Sequence, residues 1–115
     1  MDISQAAGIK REIEALEANL SYFRRFTDVP AVRRYIRLVT AHMMKLRAWL
    51  RDTQASIDAL PDETQRRVLQ CRFDGLTLQQ TADEIGYCVR NTGIIYRAAV
   101  ESIRNAQDAH KGRFC

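Results

Sequence analysis

The apolar residues in the first half of the chain recur at alternating spacings of three and four positions, with one interruption. That spacing places them on one side of an α-helix and is typical of helices that pack lengthwise against each other. The first series consists of Ala6, Ile9, Ile13, Leu16, Leu20 and Phe23, and the second of Val32, Ile36, Val39, Met43, Leu46, Leu50, Thr53, Ile57 and Leu60. The first half is therefore predicted to be two long amphipathic helices.

Pro30 falls between the two series, where a helix interior would lose a backbone hydrogen bond. Proline fits the first turn of a helix, and Asp28 is placed to cap that turn. The short connection predicts that the second helix runs back along the first as an antiparallel hairpin. The second helix is the longer one, so its last turns need a cover from the rest of the chain or from a second subunit.

The chain has 115 residues, a formal net charge of +4 and a pI near 9.3. This length fits one ordinary domain, or one small domain with an extended helical arm, and argues against a large substrate-enclosing enzyme. Five arginines crowd the tip of the predicted hairpin, namely Arg24, Arg25, Arg33, Arg34 and Arg37. The sequence leaves open whether they form a solvated turn, contact phosphates or dock on an acidic partner.

The residues with catalytic or metal-binding chemistry are scattered. Cys71, Cys88 and Cys115 are widely spaced and lack the neighbouring ligands that a zinc site needs, so we expect reduced thiols. His42 and His110 are isolated, and the sequence has no glycine-rich phosphate loop. We therefore expect a protein that is not an enzyme and that uses neither a metal nor another cofactor.

Pro61 marks a predicted boundary, because proline disfavours helix in the preceding residue but fits the first turn of a new helix. A third helix is predicted from about Asp62 to Phe73, and Gly75 stops it. We accordingly divide the chain into residues 1–60, a helical arm that could dimerise, and residues 61–115, a second domain.

Thr77 and Gln80 have the spacing of a capping box, which predicts the start of a fourth helix. Gly86 ends that helix, and a last helix is predicted over residues 88–104. So short a connection between two helices is typical of a helix-turn-helix. The predicted fold class is all-α, with an antiparallel, coiled-coil-like hairpin followed by a three-helix helix-turn-helix domain.

The last helix divides into two sides at about 100° per residue. Its inward side is predicted to carry Cys88, Thr92, Ile95, Ala99 and Ile103. Its outward side carries Arg90, Ile94, Arg97 and Glu101, with Asn91 and Gly93 at the flanks. Arginine can bond guanine through two hydrogen bonds, asparagine can do so with adenine, and isoleucine can touch a thymine methyl group. The outward side therefore has the side chains needed to read bases in the major groove.

The run ALPDETQRRVLQCRFDGLTLQQTADEIGYCVRNTGIIYRAAVESI resembles region 4 of sigma-70-type transcription factors in its Cys-Arg-Phe triplet, Gly-Leu-Thr-Leu turn and Ile-Gly-Tyr turn. With the two preceding helices, the chain resembles the small phage-encoded ArpU-like regulators. The resemblance implies a base-facing set of Val89, Arg90, Asn91, Gly93 and Ile94. It also implies a phosphate or base contact by Arg97, and contacts with the DNA backbone by Arg72, Thr77 and Gln79. Cys88 stands where a serine or threonine usually caps the last helix, Thr81 stands where an aliphatic residue is usual, and Gly93 replaces a larger polar side chain.

The expected function is sequence-specific binding of double-stranded DNA by a homodimeric transcriptional regulator. Bacterial RNA polymerase is a second candidate partner, and the expected location is the nucleoid of a bacterial or phage-infected cell, in the cytoplasm and away from any membrane. Two alternatives remain. One is a phage DNA-packaging protein of the small-terminase type, and the other is a module that docks on RNA polymerase without reading DNA.

Overall fold

The computed structural model describes the backbone of residues 2–112 and the side chains of residues 2–107. The described residues contain five α-helices and no β-strand, so the protein is all-α as predicted. The helices are α1 (Ala6–Phe23), α2 (Pro30–Asp58), α3 (Glu63–Phe73), α4 (Leu78–Ile85) and α5 (Val89–Gly112). None of them, over the part of the chain described, is both long and apolar enough to cross a lipid bilayer.

Helices α1 and α2 pack against each other along the predicted apolar series. Their shared cluster of buried side chains consists of Ile9, Ile13, Leu20, Met43 and Leu46. Near the connection, the ring centroids of Phe23 and Tyr35 are 5.0 Å apart, whereas at the other end Ile3 and Ile57 share a buried cluster. Helix α2 therefore runs back along α1.

The connection between α1 and α2 differs from the prediction in one detail. Pro30 occupies the first turn of α2, as expected. Asp28 does not cap the helix, because Val29 takes the capping position and no side chain bonds to the first turn there. The residue before a proline prefers an extended backbone, and Val29 has that conformation. The proline therefore shifts the cap to its own neighbour.

The last turns of α2 are covered by the same chain. Their buried cluster joins the N-terminal turn (Ile3–Gln5), the start of α1, α2, α3 and α5, and its members are Ile3, Ala6, Ile57, Leu60, Leu69, Phe73 and Ala99. This cluster draws residues from both sides of the predicted boundary at Pro61. Trp49 and Leu50 pack against it and also against the cluster between α1 and α2. The two halves of the chain are thus connected through apolar contacts.

Helices α3 and α4 begin and end close to the predicted positions, but Pro61 precedes α3 instead of lying in its first turn, because Asp62 takes the capping position. The Asp62 carboxylate accepts a hydrogen bond from the Gln65 amide (3.0 Å) at the start of α3. Gly75 adopts a φ of +99° just after α3, and Gly86 adopts +80° at the end of α4. Left-handed backbone of this kind favours glycine. A Cβ atom on Gly75 would also lie 2.9 Å from the Ala7 Cβ, so α1 packs directly on this turn.

Helix α5 is longer than the predicted 88–104. Residues 105–111 contain neither glycine nor proline, and the helix continues to Gly112. Thr92 and Ala99 are fully buried, which fixes how the helix is rotated on the rest of the molecule. Cys88, predicted on the inward side, is exposed because it lies just before the first turn.

Candidate nucleic-acid interface

Helices α4 and α5 are joined by only three residues, Gly86 to Cys88. The turn is held by the Ala82 carbonyl, which accepts hydrogen bonds from the amides of Gly86 (2.9 Å) and Tyr87 (3.2 Å). Ala82 is itself buried, with 1% of its surface exposed. The start of α5 is therefore set by backbone hydrogen bonds and by a left-handed glycine.

The opening of α4 is a complete capping box. The Thr77 hydroxyl accepts from the Gln80 amide (3.1 Å), and the Gln80 side chain accepts from the Thr77 amide (2.9 Å). Thr81 is buried, and its hydroxyl donates to the Thr77 carbonyl (2.8 Å). A threonine is therefore accommodated at this core position because its only polar atom has a partner within the helix.

Cys88 takes the role of a helix cap at the start of α5. Its Sγ atom accepts a hydrogen bond from the Asn91 amide at 3.5 Å. One turn later, the Thr92 hydroxyl donates a hydrogen bond to the Cys88 carbonyl (2.9 Å). Thr92 is fully buried, so this bond gives its hydroxyl a partner inside the protein. Sulfur is a weak acceptor, so this cap has the geometry of a serine or threonine cap with a weaker bond.

The first half of α5 presents a continuous exposed face. It consists of Val89, Arg90, Asn91, Ile94 and Arg97, all exposed to solvent. Ile94 is 48% exposed although it is large and apolar. Within residues 2–107, neither Arg90 nor Arg97 takes part in an ion pair. Two arginines without acidic partners, an amide and an apolar side chain therefore lie together on one helix face.

Gly93 does not belong to this face. The glycine is buried, and a Cβ atom placed on it would lie 3.5 Å from the Cδ2 atom of Leu78, the first residue of α4. The sequence-based placement of Gly93 among the base-facing residues is therefore corrected. The glycine lies where α4 contacts α5, at the edge of the exposed face, since its Cβ would also lie 3.9 Å from Nη1 of Arg97.

Replacing Gly93 by alanine is expected to stabilise the protein by up to about 1 kcal/mol, because alanine is the better helix former. The new methyl group would meet Leu78 at an ordinary contact distance of 3.5 Å. Urea denaturation followed by circular dichroism measures the change. Gly75→Ala is the matched control and should be destabilising, since its φ is +99° and its methyl would lie 2.9 Å from Ala7. A lower midpoint for Gly93→Ala would show that α4 and α5 pack more tightly than described.

Arg72, for which the resemblance implies a contact with the DNA backbone, is partly buried and bonded within the fold. Its Nη1 atom donates to the Leu76 carbonyl at 2.7 Å, and its guanidinium lies 5.5 Å from the ring centroid of Tyr96. The Nε atom is buried and has no hydrogen-bond partner among the described atoms. Arg72 therefore joins α3, the following turn and α5, and these interactions compete with the DNA contact that the resemblance implies.

Tyr96 extends the interactions of Arg72 to the N-terminus. The tyrosine hydroxyl donates to the Asp2 carboxylate at 3.4 Å. Burial raises the pKa of Tyr96, and the neighbouring negative charge of Asp2 raises it further. Burial also raises the pKa of Asp2, but hydrogen bonds from Ser4 and Tyr96 outweigh this effect and hold the pKa below its ordinary value. The hydrogen bond between Tyr96 and Asp2 therefore connects the N-terminal end of the chain to α5.

Two predicted contacts lie at the start of α4, beside the point where Leu78 meets α5. Thr77 is exposed, although its hydroxyl is occupied by the cap. Gln79 is exposed, and its side-chain amide donates to the Asp83 carboxylate at 3.1 Å. Tyr87, which sequence reasoning did not select, is 48% exposed in the turn immediately before α5. The sequence feature that marks Tyr87 as a candidate contact residue is a large aromatic side chain within a three-residue turn.

The cysteines do not form a site. Cys71 is partly buried in α3, and burial raises the pKa of its thiol. Cys88 is the exposed cap of α5. Cys115 and the side chain of His110 lie outside the described residues. Among residues whose side chains are described, no group of three or more His, Cys, Asp or Glu side chains could hold a metal ion.

The arrangement is suited to binding through one helix face. Helix α4 contacts α5 where Leu78 approaches Gly93, and Thr92 is buried on the side of α5 away from the exposed face. The exposed face of α5 combines hydrogen-bond donors, positive charge and apolar surface, which are the features that contact base edges and phosphates. Comparison of the chain with protein-family models, with curated proteins and with solved structures gave no significant match.

Proposed function

We propose that the protein is a sequence-specific, double-stranded DNA-binding transcriptional regulator that reads the major groove with the first half of α5. The observation that carries the proposal is the exposed face formed by Arg90, Asn91, Ile94 and Arg97, opposite the buried Thr92. A helix with its side chains is about 10 to 12 Å wide, which matches the width of the major groove. The resemblance to sigma region 4 supports the same assignment.

In this proposal, α3, α4 and α5 form the helix-turn-helix domain, and α1 with α2 forms a hairpin arm. Its support is the three-residue turn between α4 and α5, together with the packing of α3 on both of these helices. We assign contacts with the phosphate backbone beside the groove to Thr77 and Gln79, and their exposure at the start of α4 supports this part of the proposal. Arg72 and Gly93 are left out of the proposed contact surface for the reasons given above.

One chain reads only a short stretch of DNA. Arg90 and Arg97 lie seven residues apart, about 10 Å along the helix axis, which corresponds to roughly three base pairs. So short a site gives little discrimination within a genome. We therefore propose a homodimer that binds two half-sites, because the second contact multiplies the affinity of the first.

A random-site selection with purified full-length protein tests the proposal. The expected result is an enriched sequence with two related half-sites, their centres about one helical turn of DNA apart. The mass in solution, measured on the same sample, should be that of a dimer. A large ring of subunits would instead favour the DNA-packaging alternative.

The polymerase-docking alternative has its own signature. If the selection enriches no sequence while bacterial RNA polymerase is retained by the protein after nuclease treatment, the proposal is overturned in favour of protein docking. Retention of polymerase together with an enriched sequence would make polymerase a partner of a DNA-bound regulator.

A further inference from the structure

Residues 22–37 form the end of the molecule where α1 connects to α2, and we name them the arginine-aromatic tip. They contain five arginines and one acidic residue, Asp28, so their formal charge of +4 equals the formal net charge of the whole chain. The rest of the protein is therefore neutral in sum. The electrostatic attraction of this chain for an anion is concentrated at the tip.

The arginines of the tip are exposed, and within the described residues none of them makes an ion pair. Only Arg33 is occupied by the fold, since its guanidinium donates to the Thr27 carbonyl at 2.7 Å. A shallow cavity lies beside it, and its lining includes Pro30, Arg34 and Arg37. Every charged residue that lines this cavity is an arginine.

The tip also holds a group of aromatic side chains that belongs to neither buried cluster. The ring centroids of Tyr22 and Phe26 are 5.5 Å apart, those of Tyr22 and Phe23 are 5.3 Å apart, and Phe23 contacts Tyr35. Tyr22 is 56% exposed, Phe26 41% and Tyr35 36%. A solvated turn explains the arginines alone, but it does not explain exposed rings beside them.

One class of ligand supplies both a row of negative charges and flat apolar surfaces that can stack. We propose that the arginine-aromatic tip binds single-stranded nucleic acid, with Arg34 and Arg37 on its phosphates and Tyr22 and Phe26 against its bases. Aromatic side chains stack on unpaired bases of any sequence, and basic side chains follow the backbone. In a duplex the faces of the bases are already stacked on one another, so the rings at the tip would find only phosphates and groove edges.

The tip is separate from the proposed duplex-reading face. Ile57, near the end of α2, is buried against α3 and α5, whereas Arg37 lies twenty residues earlier on the same helix. At 1.5 Å per residue this is a distance of about 30 Å. The two surfaces can therefore be disabled independently, and binding at the tip does not depend on the proposed function of α5.

Fluorescence anisotropy with a labelled oligo(dT) of about 12 nucleotides tests the inference on the full-length protein. Wild type should bind this probe more tightly than a hairpin duplex of unrelated sequence. Tyr22→Ala with Phe26→Ala should weaken oligo(dT) binding about tenfold or more and leave its salt dependence unchanged. Arg34→Ala with Arg37→Ala should weaken binding and flatten the salt slope by up to about 1.4.

Two controls separate the tip from other sources of binding. Arg11→Ala with Arg67→Ala removes the same charge from exposed positions on α1 and α3 and should change oligo(dT) binding little. Arg90→Ala with Arg97→Ala should leave oligo(dT) binding unchanged. If this variant no longer binds oligo(dT), the binding site lies on α5. Circular dichroism checks that each variant is folded.

Three results would overturn the inference. In the first, the wild type does not bind oligo(dT). In the second, oligo(dT) and the duplex bind equally and the aromatic substitutions have no effect; in the third, Arg90→Ala with Arg97→Ala abolishes oligo(dT) binding. Binding of anionic phospholipid vesicles through the same residues, without binding of oligo(dT), would assign the tip to a membrane surface. If the random-site selection shows that α5 does not read duplex DNA, the conclusion from oligo(dT) binding at the tip is unaffected.

Discussion

Replacing Ile57 by alanine is expected to lower the free energy of unfolding by about 3 kcal/mol, the typical cost of truncating a large aliphatic side chain in a core. Ile57 is 1% exposed, and its cluster includes Leu69, Phe73 and Ala99 from α3 and α5. The substitution therefore opens a cavity where the arm meets the second half of the chain. Urea denaturation measures the loss.

The same experiment reports whether the two halves unfold together. Trp49 is the only tryptophan, and it packs against both buried clusters, so its fluorescence senses both. Its transition should coincide with that measured by far-UV circular dichroism in wild type and in Ile57→Ala. Leu38→Ala is the control, because Leu38 is 66% exposed and its loss should cost less than about 0.5 kcal/mol. A shift confined to one of two separate transitions would show that the arm is an independent unit.

Arg90→Ala combined with Arg97→Ala is expected to weaken binding to a selected duplex by about a hundredfold or more. In the proposed complex Arg90 supplies a base contact, worth about 1 to 3 kcal/mol, and Arg97 supplies either a second base contact or a phosphate contact. If Arg97 contacts a phosphate, the slope of log affinity against log salt flattens by about 0.9. Titration of the duplex at several salt concentrations, followed by anisotropy, gives both quantities.

The matched control for this pair is Arg11→Ala with Arg67→Ala. It removes the same charge from exposed positions outside the proposed reading face. If both pairs weaken binding equally, the protein attracts DNA through its overall charge and α5 has no special role. Preserved helix content in both variants excludes unfolding as the cause.

The parts of the fold that depend on local chemistry were predictable. The Thr77 and Gln80 pair begins α4, and glycines with left-handed backbone end α3 and α4. Each of these devices acts within about four residues, so the sequence contains the whole interaction. The seam between α1 and α2 was also predictable, because its periodicity is a property of each helix alone.

The parts that depend on how helices cross were not predictable. Gly93 lies at the flank of the outward side on a helical wheel, and only the path of α4 places Leu78 beside it. The helical position of Arg72 does not reveal that its guanidinium lies beside the ring of Tyr96, because α5 supplies that ring. The contact of Ile3 with residues of α3 and α5 likewise joins segments that no local pattern connects.

Repeating the random-site selection with Arg90→Ala tests the central claim most directly, because it separates reading of bases from attraction to phosphates. If α5 reads the major groove, the variant should still enrich two half-sites but should lose the preference at one base position in each. An enriched sequence identical to that of the wild type would contradict the claim, since a face that reads bases cannot lose its first arginine without changing what it selects.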